Sequence, residues 1–393
     1  MPQIAARQAR LGTESAFEVL AKARALEAQG RNIVHLEIGE PDFETAPHIS
    51  DAAKQAIDDG FTHYGPSAGL LPARESIARY VSGTRDIPVE PDQVVITPGA
   101  KPIITFTIMA VVDEGSEVLL PDPGFPIYES VVQYVGGIAV PLPLLEERAF
   151  RFDPDELRRR ATDKTRLIVL NSPQNPTGGV LEKSDLEAVA EIARERDLWV
   201  LSDEIYSRLI YDGEHQSIAA LPGMAERTII LDGFSKTYAM TGWRLGYGVA
   251  PASLVPHLTR LQTNVTSCTA SFAQMAAIAA LDGTQAPAEA MVAEFARRRE
   301  FIVNRLNQIE GVMCLKPGGA FYVFPRVTVP GVTSKKVADS LLEHEGVAVL
   351  GGTAFGAQGE GFLRLSFATS MALLAEGSDR IEKGLKRLRA RAA

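Results

Sequence analysis

Apolar and polar positions run along this chain in rhythms that change near residue 92 and again near residue 272. From Ala16 to Gly30 apolar side chains recur at helical spacing (Phe17, Leu20, Leu26) and Gly30 supplies a stop, which predicts a helix. The apolar run Ile33 to Ile38 predicts a strand, followed by a turn at Glu40-Pro41-Asp42. From about residue 92, short β-branched runs alternate with helical stretches. The predicted strands are Gln93 to Thr97, Glu117 to Pro121, Ile138 to Leu142, Leu167 to Asn171, Leu198 to Asp203, Thr228 to Asp232 and Leu245 to Val249. Helices such as Lys183 to Arg196 lie between them. Strands apolar on both faces and separated by helices indicate a mostly parallel sheet of the α/β class. A helical region is expected over Phe272 to Ile309. Shorter strands follow at Ala320 to Pro325, Ala348 to Leu350 and Phe362 to Phe367, so a smaller α+β unit should begin between residues 280 and 310.

Length and composition narrow this picture. A chain of 393 residues suggests two or three domains, or one large α/β domain with an appendage. Net charge is −9 with no basic stripe interleaved with aromatics, which argues against a nucleic-acid partner. Cys268 and Cys314 have neither CxxC nor zinc-ligand spacing and read as reduced, mostly buried thiols. No run reaches the length of a membrane span, and the N-terminus lacks the apolar core of a signal peptide. Arg7 to Arg10 is basic, but Glu14 and Glu18 follow, which argues against a transit peptide; a cytoplasmic protein is expected.

Candidate chemistry gathers at strand ends, where ligands bind in open parallel sheets. Asn171 opens Asn171-Ser172-Pro173-Gln174-Asn175-Pro176-Thr177-Gly178-Gly179, Asp203 opens Asp203-Glu204-Ile205-Tyr206, and Gly233-Phe234-Ser235-Lys236-Thr237 ends a third strand. Alone, each is more often a cap or a surface ion pair. Together they offer a carboxylate to hold a pyridine nitrogen protonated, an amide and a phenol for a ring oxygen, and a lysine able to form an imine. Pro98-Gly99-Ala100-Lys101-Pro102 is a glycine turn opening a helix (Pro102 to Val111), and helix N-termini bind phosphate. Arg364 sits in an apolar strand, and a buried guanidinium needs a bidentate partner, by default a structural carboxylate.

These segments, with Ser235-Lys236-Thr237-Tyr238-Ala239-Met240-Thr241-Gly242-Trp243-Arg244-Leu245-Gly246-Tyr247, resemble the class I aminotransferases, pyridoxal 5′-phosphate (PLP) enzymes of fold type I. The resemblance covers Ser15 to the C-terminal helix and is to the bacterial aspartate/aromatic subgroup. It implies an α/β fold with a mostly parallel seven-stranded sheet flanked by helices. It also implies an N-terminal segment (1–45) packed with the small domain, a large PLP-binding domain (46–285) and a small C-terminal α+β domain (286–393). Lys236, Asp203 and Tyr206 would be catalytic. Lys236 would hold PLP as an imine and carry the proton between substrate Cα and C4′, and Asp203 would pair with the ring nitrogen. Asn175 and Tyr206 would bond the 3-oxygen, while Phe125 would stack on the ring. Ser235, Arg244, Gly99 and the amides of Ala100 and Lys101 would hold the phosphate. Arg364, Gly39 and Asn175 would bind the substrate carboxylate, with Phe17 beside the substrate. Tyr64 would reach the phosphate of a neighbouring subunit, which implies a homodimer with shared active sites.

The expected reaction is ping-pong transfer of an amino group from an L-amino acid to a 2-oxo acid. A carbon–sulfur β-lyase or other Cα chemistry uses the same motifs and stays open. A non-enzymatic regulator built on this fold carries a DNA-binding domain ahead of it, for which no room is expected before Ser15. Aspartate-preferring relatives often have Trp at the position of Phe125 and a small polar residue at that of Phe17, so a neutral or aromatic donor is expected. Other signals fall away. Gly65-Pro66-Ser67-Ala68-Gly69 has the spacing of a hydrolase elbow but follows a polar, loop-like segment rather than a strand. The glycines from Gly351 to Gly361 do not make GxGxxG, Ser235-Lys236-Thr237 lacks a P-loop's upstream glycines, and the six histidines lack metal-ligand spacing. The basic C-terminus (Lys383, Lys386, Arg387, Arg389, Arg391) is expected to complement the negative end of a helix.

Overall fold

The seven aliphatic runs between residues 93 and 249 all become strands of one sheet in a computed structural model that describes residues 2–392. They are β1 (Val94–Thr97), β2 (Glu117–Asp122), β3 (Ile138–Leu145), β5 (Thr165–Asn171), β6 (Trp199–Asp203), β7 (Thr228–Gly233) and β8 (Gly246–Val249). An unexpected two-residue strand, β4 (Arg151–Phe152), pairs antiparallel with β3 and makes the sheet eight-stranded. Two residues carry no periodicity, which is why the expected sheet had seven. The order is β1-β8-β7-β6-β5-β2-β3-β4. The contiguous pairs from β7 through β3 are parallel, and β8 runs antiparallel between β1 and β7. Strands β1 and β7 are buried along their whole length, as expected for a sheet covered on both faces.

Helices cover those faces for local reasons. Lys183–Glu195 opens with a capping box between Glu182 and Asp185 and buries Leu186, Val189, Ala190 and Ala193. Lys101–Val111 buries Ile103, Ile104, Phe106 and Ile108. The helical stretch expected over 272–309 is two helices, Ser271–Asp282 and Ala286–Asn307. Gly283 ends the first, and Pro287 occupies the first turn of the second, where its missing N–H costs nothing.

The smaller unit contains an antiparallel sheet ordered Tyr322–Val323, Leu363–Ser366, Leu350–Gly351. After helix Ser15–Glu27, only Val34–His35 of the expected 33–38 strand forms; it pairs in parallel with Val347–Ala348. In the C-terminal helix Met371–Ala392, three of the basic residues do more than complement its end. Lys383 and Arg387 pair with Glu345, and Lys386 pairs with Glu382. Cys268 and Cys314 are both free; Cys314 is buried, but Cys268 is only half-buried. Residues 65–69 form a loop ahead of helix Leu71–Arg85. Among the described residues, no helix is long and apolar enough to cross a membrane, and no His, Cys or carboxylate cluster could hold a metal ion.

Candidate active site

Three adjacent strands, β5, β6 and β7, end at one cavity of about 510 Å³. Parallel register sets this: Asn171 lies beside Asp203, and Asp203 beside Leu231, so three chain ends reach the same rim. The Asn171 side chain ties two of them together. Its Nδ2 donates to the Asp203 carbonyl (3.1 Å), and its Oδ1 accepts from the Asn175 N–H (3.0 Å). Gln174 anchors the same loop by donating to the Pro123 carbonyl (2.6 Å).

Asp203 is buried at the cavity and accepts a hydrogen bond from Tyr128 (2.6 Å) and one from the Ile205 N–H (3.2 Å). Among the described residues it has no Lys, Arg or His partner. Burial therefore raises its pKa to about 6; Tyr128 and the Ile205 N–H oppose the rise, and Asp232 and Glu204 add to it. A ligand bringing a cationic nitrogen would relieve this cost. Lys236 is half-buried at the cavity, its Nζ donating to the Gly39 carbonyl (2.6 Å). Burial lowers it to about 8, with Arg364, Lys101 and Arg244 reinforcing the shift and Glu40 opposing it.

Arg364 is buried too. Its Nη1 donates to Asn175 Oδ1 (3.2 Å), and its Nη2 donates to the Glu37 carbonyl. Nε has no partner, and no carboxylate among the described residues forms an ion pair with the guanidinium. The structural ion pair that such a strand arginine would have in isolation is absent among the described residues. The fork is open, and it lines the cavity.

At the other end stand Ser235, Arg244 and the start of helix Lys101–Val111, whose first-turn N–H groups have no intrahelical acceptor. Gly99 has φ +85, and a Cβ there would lie 2.2 Å from an Arg244 nitrogen. Only glycine lets the turn and the guanidinium close together around an anion. Phe125 lines the cavity edge-on to Tyr128 (centroids 5.7 Å apart). The Lys101 Nζ lies 5.4 Å from the Phe125 ring centre and 5.9 Å from that of Phe17, and it is ion-paired with Glu14.

Of the residues expected at the site, Phe17, Gly39, Ala100, Lys101, Phe125, Asn175, Asp203, Tyr206, Ser235, Lys236, Arg244 and Arg364 line this cavity. Gly99 packs on Arg244 at its edge, whereas Tyr64 is outside the lining and 91% exposed. Tyr128, Glu14 and Tyr322 were not foreseen. Tyr128 was within reach of sequence reasoning, three residues after Phe125 at the start of helix Ile127–Val135, but Glu14 and Tyr322 depend on tertiary packing.

The cavity thus offers a buried anion for a ring nitrogen, donors for a ring oxygen, a cationic cup for a phosphate, a lysine of lowered basicity and an open fork for a carboxylate. On this sheet, such a donor set fits PLP and defines a PLP-dependent transferase of fold type I. The sequence profile of the class I and class II aminotransferases matches residues 31–381. The aspartate aminotransferase of Pyrococcus abyssi is 44% identical over 360 residues, 91% of this chain and 92% of that protein. The aromatic-amino-acid aminotransferase 2 of Thermococcus litoralis is also 44% identical, covering 91% and 93%. A crystal structure of Pyrococcus protein-A1 superposes with TM-score 0.94 at 42% identity, covering 98% of this chain and 99% of that one. The chain belongs to the class I and II aminotransferases, and it is a PLP-dependent enzyme that transfers amino groups.

Proposed function

We propose that Lys236, Asp203 and Tyr206 carry the chemistry and that the preferred donor is a neutral or aromatic L-amino acid, with 2-oxoglutarate or pyruvate as acceptor. When bound, PLP supplies an aldehyde that takes up the amino group and a pyridine ring that withdraws electrons from substrate Cα. Asp203 holds the ring nitrogen in its cationic form, while Tyr206 and Asn175 donate to the 3-oxygen and Phe125 covers the ring. Ser235, Arg244, Gly99 and the Ala100 and Lys101 amides hold the phosphate. Arg364 forks onto the α-carboxylate, which Gly39 and Asn175 also contact. Lys236 Nζ would take the proton from substrate Cα and return it at C4′, on the far side of the amino nitrogen. That role needs a free amine near neutral pH, and the lowering of Lys236 to about 8 supports it. Two half-reactions run through these groups in opposite directions, the first releasing a 2-oxo acid and the second taking one up.

The observation that carries this reading is the meeting of two buried groups and a half-buried one at one cavity. A carboxylate and a guanidinium lack ionic partners among the described residues, and a lysine of lowered basicity stands with them. The substrate class rests on the cavity wall. Phe17 and Phe125 make it apolar, and Glu14 engages Lys101, weakening its pull on a second carboxylate. Relatives named for aspartate and for aromatic donors stand at equal identity, so likeness does not choose between them.

A donor panel in single-turnover half-reactions tests both parts. Phenylalanine, leucine or alanine should react faster than aspartate; the reverse order overturns the substrate class. Lys236→Ala should lose at least about 10²–10⁴-fold in rate, and retained turnover overturns the site.

The same reading makes the enzyme a cytoplasmic homodimer in which Tyr64 of the partner subunit completes the phosphate cup. The 91% exposure of Tyr64 supports the shared site, and the two free cysteines support a reducing compartment. It divides the chain at residues 45 and 285, and the pairing of Val34–His35 with Val347–Ala348 supports grouping the N-terminal segment with the C-terminal unit.

A further inference from the structure

Tyr322 reaches the cavity from the small sheet, and strand register determines what it meets there. It stands opposite Ser366 on the neighbouring strand, and Arg364 lies two residues from Ser366. Side chains alternate with period two, so Tyr322 and Arg364 share a face as diagonal neighbours. The guanidinium of Arg364 accordingly sits over the Tyr322 ring, 4.6 Å from its centre.

The hydroxyl of Tyr322 is equally committed. It lies 2.7 Å from the Tyr206 hydroxyl, and both rings are buried. On its other side it seats against Gly39, where a Cβ would fall 2.0 Å from the oxygen. The carbonyl of that same Gly39 receives Lys236 Nζ. Each phenol has a single proton to donate. If Tyr206 spends its proton on a ring oxygen of the cofactor, the proton between the two tyrosines must come from Tyr322. A donor that itself accepts a hydrogen bond is the stronger donor.

We propose that Tyr322 is a positioning residue serving both halves of the site, its hydroxyl strengthening Tyr206 as donor to the cofactor's 3-oxygen and its ring aiming Arg364 at the substrate carboxylate. The proposal rests on the roles given above to Tyr206 and Arg364. Burial raises the pKa of both phenols, which keeps them protonated and able to donate throughout the working pH range.

Two substitutions separate the two functions. Tyr322→Phe removes the hydroxyl and keeps the ring, whereas Tyr322→Leu removes both. In the PLP-loaded enzyme, weaker donation to the 3-oxygen leaves the proton between that oxygen and the lysine nitrogen more tightly held. The pH midpoint of the cofactor's absorbance change should therefore move upward in Tyr322→Phe, by about half a unit, while KM for the donor stays within about twofold. Tyr322→Leu should shift the midpoint likewise and also raise KM by roughly three- to thirtyfold, the range of a desolvated cation–π contact. Tyr206→Phe is the control. If it leaves the midpoint in place, the underlying site assignment fails. If it shifts the midpoint and Tyr322→Phe does not, or if both Tyr322 variants raise KM equally, the role given to Tyr322 is overturned. The isosteric Phe variant preserves the packing, and its thermal unfolding without cofactor checks that.

Discussion

Asp203 has a measurable cost. Its carboxyl titrates near 6 in the folded protein without cofactor, against 3.8 as a free side chain, because burial penalises the charge. Between those pH values the folded chain holds a proton that the unfolded chain has released. Stability is therefore fully present below about pH 4 and is lost as pH rises to about 6. At neutral pH the loss is roughly 3 kcal/mol. Asp203→Asn should raise the cofactor-free protein's stability by up to that amount and flatten its pH dependence across this window. It should also weaken PLP binding by about tenfold or more, the worth of a charge-assisted hydrogen bond. Urea titrations across the window and equilibrium dialysis of PLP measure both. A variant that is less stable and binds PLP normally would contradict this account. Lys236 has the opposite sign. Its folded value near 8 lies below the free 10.5, so it should add stability as pH climbs through that interval, and Lys236→Met should abolish the rise.

At the scale of elements, the strands that carry Asp203 and Lys236 are braced from behind. Arg85, the last residue of helix Leu71–Arg85, donates from Nε to Glu204 (2.9 Å) and from Nη2 to Ser207 (2.8 Å), and it pairs with Asp232 on β7. Glu204 also accepts from Ser217 (2.6 Å) and meets His215 (2.9 Å). Burial alone would raise Glu204, but His215 and Arg85 bring it down to about 2. Arg85→Met strands two buried carboxylates and should cost about 3–5 kcal/mol in urea unfolding. Adding Asp232→Asn should recover part of that, since one stranded charge is then gone; strictly additive losses would refute the bracing. Sequence periodicity made β1, β5, β6 and β7 legible because both faces of each are buried and their apolar runs are continuous. The polar residues that close β5 and β6 followed, so Asn171 and Asp203 were legible as well. The joining of Arg85 to Glu204 and Asp232 was not legible, because Arg85 lies more than a hundred residues from either carboxylate and only packing brings them together. Tyr322 was hidden for the same reason: its meaning lies in a cross-strand register, which local pattern does not encode.

For the whole molecule, the proposed dimer determines whether each cavity is complete within one chain. Twelve expected site residues line the cavity of a single subunit, yet Tyr64 points elsewhere and is 91% exposed. A second copy of the chain seated against this segment would cover the ring and bring its hydroxyl to the neighbouring cavity. The shared site then makes a prediction that a self-contained one does not. Tyr64→Ala should weaken PLP binding, and Lys236→Ala should abolish turnover. In a mixed dimer of the two variants, the cavity with intact Lys236 receives an intact Tyr64 from the Lys236→Ala subunit, while the other cavity carries both lesions. Co-refolding equal amounts at limiting PLP should therefore restore about a quarter of the wild-type sites, since about half the dimers are mixed and each has one complete site. Were Tyr64 to serve its own subunit, the cavity with intact Lys236 would keep the Tyr64 lesion, and mixing would restore nothing. Sedimentation equilibrium on the same samples confirms that dimers form, so absence of restoration in a dimeric mixture counts against the shared site rather than against assembly.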